Sequence, residues 1–417
     1  MKKALCTTSR VTMALALSLV ALLFPRAAHA EWPSLDSAVR LSRTRALAAL
    51  EAEAEVAQAN GALTGAKVSV FGNPYLEMQF DRGTLNPQLQ ALGFLYFPVE
   101  LLGQRGARVD EAEKYVNWRK LGLVDARAYV TGETVSTWGE VVIARSRMDL
   151  ATDGEAAARK EAEFFGERLK AGDTTQYEAS LAEAEVARWV QARVEAQLKM
   201  ATAMSRLTQL TAKVDIGAPP KEISASGPPR LKGSWDDAYL TQALERSPLL
   251  AKIRGQRDFY SASIDRYKAE RLPQFTFELI GGRGADRGEG RYGAGFVLGF
   301  PFTRRYQGEI AKAEAARDHA ASHYELYKRV LDTRMRTSRS TLLEVGKAID
   351  QLEKSGIPAL TRAVDAAFEA YKLGKTDISR VLLTRRDLAN TRSRRLDLLE
   401  IAWRAYGDLT TFSGDLP

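Results

Sequence analysis

Long stretches of this chain repeat apolar residues every three or four positions, whereas two short stretches alternate apolar and polar residues. The stretch from 103 to 171 is rich in Ala, Glu, Arg and Lys and contains no proline. A matching stretch from 304 to 373 is interrupted only near Gly356 and Pro358. At 1.5 Å per residue, a helix of roughly 70 residues reaches about 100 Å. We therefore predict very long helices that pack lengthwise against one another.

The second long stretch carries a narrow apolar seam, which is typical of a coiled coil. Its members follow one another at steps of three or four: Leu331, Met335, Ser338, Leu342, Val345, Ile349 and Leu352. Small side chains beside the seam let neighbouring helices approach closely, and these are Ala311, Ala313, Ala315 and Ala316.

Two pairs of alternating segments, at about 68–98 and 274–301, predict β-hairpins. Strands of 8 to 10 residues are long enough to cross a bilayer core as tilted barrel strands. We expect the polar positions to line a water-filled lumen, namely Tyr75, Glu77, Gln79, Gln274, Thr276 and Glu278. We expect the apolar positions to face lipid, namely Leu76, Met78, Phe80, Phe275, Phe277, Leu279, Phe296, Leu298 and Phe300. The return strand near 89–97 is apolar on both faces, so its register stays open.

These strands are too few to close a barrel by themselves. The smallest closed barrels need about eight strands, and open strand edges are not tolerated in lipid. If the strands span a membrane, several chains must pool them. A soluble, half-buried hairpin is the alternative for either pair considered alone; export of the chain and the double occurrence favour the membrane.

The first thirty residues have the features of a cleaved secretory signal. Basic residues (Lys2, Lys3 and Arg10) precede an apolar run at 11–24, and small residues stand at 28 and 30. The run is too short for a spanning helix. Removing the segment, which also contains Arg26, lowers the formal charge from +8 to +4. That value gives no reason to expect a nucleic-acid partner.

The segment also contains Cys6, the only cysteine of the chain. We therefore expect neither disulfides nor thiol chemistry in the exported protein. Glu31 stands where a lipid-bearing cysteine would have to be, so we expect no N-terminal lipid anchor.

The chain repeats its own sequence after about 200 residues. NPYLEMQF (73–80) corresponds to LPQFTFEL (272–279), and ERLKAGDTTQYEASL (167–181) corresponds to AYKLGKTDISRVLL (370–383). A proline-containing stretch between the copies is typical of a linker. We predict a first repeat at 31–212, a linker at 213–233 and a second repeat at 234–417. Each repeat contains a helical turn, or tip, at about 170–177 and 372–379.

Catalytic chemistry is not indicated. After signal cleavage His319 and His323 remain, and two histidines on one helical turn assemble no nucleophile–base constellation. We interpret them as an exposed helical pair and predict no metal site and no cofactor. The loop GGRGADRGEG joins two strands and opens no helix, so it does not have the context of a phosphate-binding loop.

Export, duplication, two strand pairs and very long helices together resemble the TolC family of outer-membrane efflux channels. PVELLGQRGARVDEAE (98–113) and FPFTRRYQGEIAKAEA (300–315) are similar to the segments that enter the long helices of the cobalt–zinc–cadmium subgroup. The resemblance implies a mainly α fold with membrane β: a trimeric α-barrel in the periplasm continued by a 12-strand barrel in the outer membrane. It also implies a periplasmic adaptor, an inner-membrane pump of the resistance-nodulation-division type, and heavy-metal cations as a candidate cargo.

The resemblance further implies that the tips close the periplasmic end. Glu178 and Arg380 lie six residues after Gly172 and Gly374. Family channels often have an acid at both offsets, so Arg380 departs from a purely acidic ring. One hypothesis is that Glu178 and Arg380 pair to hold the tip closed; the alternative is that both lie on solvated faces. Three further tip residues are expected to meet the adaptor, namely Asp173, Lys375 and Asp377.

Other functions stay open at this point. The same fold serves drug efflux or type I protein secretion, because the cargo is selected mostly by the pump. A periplasmic coiled-coil scaffold outside the membrane is the alternative from a different class.

Overall fold

The computed structural model describes residues 32–82, 89–213, 216–220, 226–229, 235–284, 289–303 and 305–415. The predicted signal segment, with Cys6 and His29, lies outside the described residues. So do most residues of the two loops that connect the strands, at 83–88 and 285–288.

The described residues form helices and strands in one order that occurs twice along the chain. In the first half these are α1 (Leu35–Arg45), α2 (Leu47–Ala66), β1 (Tyr75–Arg82), β2 (Leu89–Val99), α3 (Gln104–Lys170) and α4 (Gln176–Thr211). In the second half they are α5 (Asp237–Glu245), α6 (Pro248–Ala269), β3 (Gln274–Arg283), β4 (Gly290–Gly299), α7 (Gln307–Gln351), a π-helix (Leu352–Gly356), α8 (Ile357–Lys372) and α9 (Ile378–Ser413).

The strands of both hairpins form one antiparallel sheet in the order β1-β2-β3-β4. The inner strands β2 and β3 pair with each other, with Leu95 opposite Leu279. Each hairpin therefore finds its first partner in the other hairpin of the same chain. In this sheet only β1 and β4 remain as edge strands.

The long helix α3 lies at the centre of the helical layer. Nearest the sheet it packs between α2 and α6, and α6 packs against α7; farther from the sheet α3 packs between α4 and α9. An apolar core forms where α1, α3, α7 and α9 meet, around Val39, Ile143, Ile349 and Trp403. Close packing there depends on glycine, because a Cβ at Gly407 would lie 2.6 Å from the carbonyl oxygen of Gly132.

The predicted interruption of the second long helix is confirmed. A π-helix separates α7 from α8, and Pro358 stands in the first turn of α8. Proline has no backbone N–H and its ring crowds the carbonyl of the preceding turn, so the α-helical pattern cannot continue through it. Of the seven predicted seam residues, four are buried (Leu331, Met335, Ser338 and Ile349), and the other three are half-buried (Leu342, Val345 and Leu352).

Candidate functional site

The sheet has one face with polar and small residues and one apolar face. Directly opposed residues of paired strands share a face. Glu77 is opposite Phe94 and Glu278 is opposite Tyr96. The register therefore places the polar positions on one face: Tyr75, Glu77, Gln79, Gln274, Thr276 and Glu278. The other face carries Leu76, Met78, Phe80, Phe275, Phe277, Leu279, Phe296 and Leu298.

The register of β2 is what the sequence left open. The structure places Leu92, Phe94 and Tyr96 on the polar face, where the Tyr96 ring stacks on Tyr75 with centroids 4.6 Å apart. The polar face thus includes an aromatic stripe along β2. Phe300 follows the last residue of β4 and is exposed beside Phe302, with ring centroids 5.6 Å apart.

The sheet and the helical layer each have two open edges, and each edge strand is connected to the helix at the matching edge of the layer. On one side, β1 is the edge strand of the sheet, and α2, which precedes it in the chain, is the edge helix among those nearest the sheet. On the other side, β4 is the edge strand of the sheet, and α7, which follows it in the chain, is the edge helix. One chain is therefore shaped as a segment with two matching free edges.

Apolar side chains remain exposed along the first of these edges. Leu47 in α2 is 70% exposed and Leu76 in β1 is 65% exposed. Exposed apolar side chains along a free edge are typical of surfaces that contact a partner or lipid.

Both tips use the same backbone turn. Gly172 and Gly374 have φ angles of +77° and +67°, in the left-handed region that favours glycine. In each tip an N–H beyond the glycine donates to a carbonyl of the last helical turn: Asp173 to Arg168 at 2.8 Å and Lys375 to Ala370 at 2.9 Å.

The tips differ in how the following helix begins. Thr175 and Glu178 form a capping box: the Thr175 hydroxyl accepts from the Glu178 N–H at 3.2 Å, and the Glu178 carboxylate accepts from the Thr175 N–H at 3.2 Å. The Thr174 hydroxyl also donates to that carboxylate. Asp377 caps α9 by accepting from the Arg380 N–H at 3.0 Å.

The same contacts set the charge of the first tip. Hydrogen bonds from Thr174 and Thr175 hold the pKa of Glu178 below its ordinary value. Glu178 is therefore an ionised helix cap. Its capping role was readable from the Thr-x-x-Glu spacing at 175–178.

Among the residues that the structure describes, the two tips of one chain contact each other through side chains that the sequence did not single out. Arg168 donates to the Tyr371 hydroxyl at 3.1 Å, and Arg385 forms an ion pair with Glu161. Beneath these contacts lies an apolar cluster of Phe165, Ala179, Ala182, Ile378 and Val381 from α3, α4 and α9, and Phe368 and Tyr371 of α8 pack against it. These contacts join residues about 200 positions apart in the sequence.

The structure of one chain does not bring Glu178 and Arg380 together as an ion pair within its described residues. The Glu178 carboxylate contacts Thr174 and Thr175, and the Arg380 side chain is on an exposed position. Lys375, Asp377 and Asp173 are exposed at the tips. Their expected contact with an adaptor stays a prediction, and so does a pairing of Glu178 with Arg380 between chains.

None of the described helices combines the length and the apolar character that a membrane-crossing helix requires. In the described ranges, the structure likewise groups no three His, Cys, Asp or Glu side chains that could hold a metal ion.

Comparisons with known proteins agree with this geometry. Residues 239–414 match the family model described as outer membrane efflux protein. The chain is 26% identical over 385 residues to the cobalt-zinc-cadmium resistance protein CzcC of Cupriavidus metallidurans, covering 92% of this chain and 90% of that protein.

Solved structures share the fold over nearly the whole chain. A structure of CusC, described in terms of transmembrane channel formation, matches with a TM-score of 0.74 and 12% identity, covering 93% of this chain and 94% of that one. The Campylobacter jejuni CmeC outer membrane channel matches with a TM-score of 0.74 and 15% identity, covering 91% and 85%. The predicted fold class is confirmed by these matches.

Proposed function

We propose that this chain, whose residues 239–414 match the outer membrane efflux protein model, forms the exit duct of a tripartite efflux system. Three copies would close through their free edges, with β1 of one chain beside β4 of the next and α2 beside α7. The pooled strands would make a 12-strand barrel in the outer membrane. The helices would continue it as a tube into the periplasm. Transport through the tube is passive.

One observation carries this proposal: the sheet and the helical layer end on the same two sides of the chain. An open strand edge exposes unpaired backbone N–H and C=O groups, which lipid does not satisfy. Contact between neighbouring copies would pair those backbone groups, and the same contact would join their helical layers. A sheet that belonged to a soluble scaffold would need to cover its edges and its apolar face within the chain.

The two faces of the sheet would then have different surroundings. The apolar face, with Leu76, Phe277 and Phe296 exposed in one chain, would contact lipid. The opposite face, with Glu77 and Glu278, would line the water-filled lumen. This arrangement has the alternation of lipid-facing and lumen-facing residues expected of a barrel in the outer membrane.

At the other end, the tips would form the gate and meet a periplasmic adaptor. Within each chain, the Arg168–Tyr371 hydrogen bond and the cluster around Phe165 hold the two helical tips together. Between chains, Glu178 and Arg380 remain candidates for a charge pair that holds the tips closed. An unchanged single-channel conductance in Arg380→Ala would argue against that pair.

Heavy-metal cations are the cargo class that we propose. The support is the similarity to a cobalt-zinc-cadmium resistance protein over most of both chains. The partners would be a periplasmic adaptor and an inner-membrane pump of the resistance-nodulation-division type, which would select the cargo. In a host deleted for its own channel, co-expression with the adaptor and pump should restore growth on zinc, cobalt or cadmium. Restored growth on organic drugs alone would contradict the metal assignment.

The channel itself is tested with the detergent-extracted protein. Light scattering should give about three times the mass of one chain, and insertion into a planar bilayer should give discrete conductance steps. A soluble monomer without conductance would support the scaffold alternative instead.

A further inference from the structure

Two histidines on α7 lie side by side. His319 and His323 are four residues apart, so they project from the same face of the helix. Their ring centroids are 5.0 Å apart with an interplanar angle of 32°. The sequence alone favoured an exposed pair without a ligand, and the structure adds the distance between the rings.

That distance fits a shared metal ion. With a metal–nitrogen bond of about 2.1 Å and an angle between a right angle and tetrahedral, two coordinating imidazole rings have centroids about 4.5–5.2 Å apart. The i, i+4 spacing of two histidines on one helical face is also the spacing that holds zinc in helical metal sites.

The surroundings orient one ring and leave room beside the other. The edge of Tyr327 packs against His323, with centroids 4.5 Å apart and planes at 80°. Tyr327 itself packs against the buried cluster that includes Leu331 and Met335, so it limits the movement of the His323 ring. His319 is exposed, and Ala315 one turn before it is exposed and small.

The acidic residue next to His319 in the sequence is already paired. Asp318 contacts Arg317 at 2.8 Å. No third His, Cys, Asp or Glu joins the pair within the described residues. A metal held there would therefore keep water in its remaining coordination positions and exchange readily.

We propose that His319 and His323 form a two-histidine binding site for a borderline divalent transition metal, such as Zn²⁺, Ni²⁺ or Cu²⁺. Imidazole nitrogen is a ligand that these ions favour, whereas Mg²⁺ and Ca²⁺ favour oxygen. Each chain contributes one site. This inference goes beyond the proposed function and does not depend on it, because metal binding to the purified chain is measured without transport.

The site is tested by titrating the full-length channel in detergent with Cu²⁺ alone and with Zn²⁺ alone. If the protein is produced without a polyhistidine tag and without the predicted signal segment, these two residues are the only histidines of its sequence. Calorimetry should give one bound ion per chain. The electron paramagnetic resonance spectrum of bound Cu²⁺ should show hyperfine coupling to two imidazole nitrogens.

Variants separate a chelating pair from independent weak contacts. Since two linked ligands act at a high effective concentration, His319→Ala or His323→Ala should each weaken binding by roughly tenfold or more. Ser322→Ala, between them on the same helix, should leave binding unchanged. A double variant, His319→Gln with Tyr327→His, moves the pair by one turn and should retain tighter binding than His319→Ala.

Two results would overturn the proposal. One is the absence of measurable Cu²⁺ or Zn²⁺ binding to the unsubstituted chain, as also in His319→Ala combined with His323→Ala. The other is binding that survives in that variant, which would place the metal at carboxylates elsewhere. Bilayer conductance of the same samples reports on the channel separately, so failure of this site leaves the proposed function untouched.

Discussion

The long helices of the two halves of the chain have similar sequence patterns but different structures. Helix α3 runs unbroken from Gln104 to Lys170 and packs against helices on both of its sides. Its counterpart is split by a π-helix into α7 and α8, and it lies at a free edge of the layer. A break in the central helix would disturb contacts with neighbours on both sides, whereas a break at the edge of the layer disturbs fewer contacts within the chain.

A contrast in burial also appears between two phenylalanines near the tips. Phe165 near the end of α3 is 2% exposed inside the tip cluster. Phe368 in α8 packs against the same cluster but is half-buried, and the charged groups of Lys372 and Arg385 lie 4.6 and 5.4 Å from its ring centroid. The tip of the first half thus has a fully buried phenylalanine, whereas the phenylalanine near the tip of the second half lies at the rim of the cluster.

The largest effect is expected from these two phenylalanines. Phe165→Ala should cost about 3–5 kcal/mol, because it removes a buried ring from a cluster shared by four helices. Phe368→Ala should cost about 1.5 kcal/mol or less, since its ring is partly in water. Hydrogen exchange of the tip peptides measures both. Equal effects would show that the two halves are packed alike at the tip.

Glycines on the two long helices should respond with opposite signs. A Cβ at Gly139 in α3 would lie 2.6 Å from the Cβ of Trp403, so Gly139→Ala should destabilise by about 1–3 kcal/mol. Gly346 in α7 has open space around its Cβ position, so Gly346→Ala should stabilise by up to about 1 kcal/mol. Thermal unfolding followed by circular dichroism measures both. A stabilising Gly139→Ala would contradict the close packing of α3 and α9.

The break between α7 and α8 is attributed to Pro358. Pro358→Ala restores a backbone N–H and removes the ring, so residues 352–356 should become more regular. Their amide exchange should slow by about tenfold, which corresponds to about 1.4 kcal/mol. Exchange in the middle of α3 serves as the internal control. Unchanged exchange at 352–356 would assign the π-helix to tertiary packing instead.

The smallest effect is expected at the caps of the tips. The pKa of Glu178 is lowered in the folded chain, so its stabilising effect is present above the ordinary value of 4.5 and is lost as the pH falls through the lowered pKa. Acid should therefore loosen the start of α4 by about 1 kcal/mol, the usual contribution of a cap.

Glu178→Gln tests this effect. It keeps an acceptor but no charge, so the opening of residues 176–180 should lose that part of its pH dependence. Asp173→Ala is the matched control, because its side chain is exposed and does not cap α4. The capping role would be contradicted if amide exchange at residues 176–180 had the same pH dependence in Glu178→Gln as in the unsubstituted chain.

Periodicity predicted much of this structure, because it records which side of an element is buried. The seam at Leu331 and Met335 and the break at Pro358 followed from local pattern alone. The pattern failed where both faces of an element are apolar, as in β2, whose register is seen only in its pairing with β1 and β3.

Local pattern also carries no signal for contacts between distant segments. The hydrogen bond from Arg168 to Tyr371 joins the two tips, and the close approach of Gly132 to Gly407 joins α3 to α9. Both depend on how the two halves of the chain pack against each other. The same reason left the distance between the two histidine rings undetermined, since it depends on the packing of Tyr327.

Disulfide cross-linking between chains tests most directly whether β1 of one copy lies beside β4 of the next. The only natural cysteine, Cys6, lies in the predicted signal, so introduced cysteines should be the only ones in the exported chain. Met78→Cys in β1 would be combined in turn with Ala294→Cys, Phe296→Cys or Leu298→Cys on the same face of β4. The control is Met78→Cys with Val297→Cys, on the opposite face. The account predicts covalent trimers on a denaturing gel for one of the same-face pairs and none for the control. Monomers in every combination, from protein that is intact and membrane-inserted, would contradict closure through these edges.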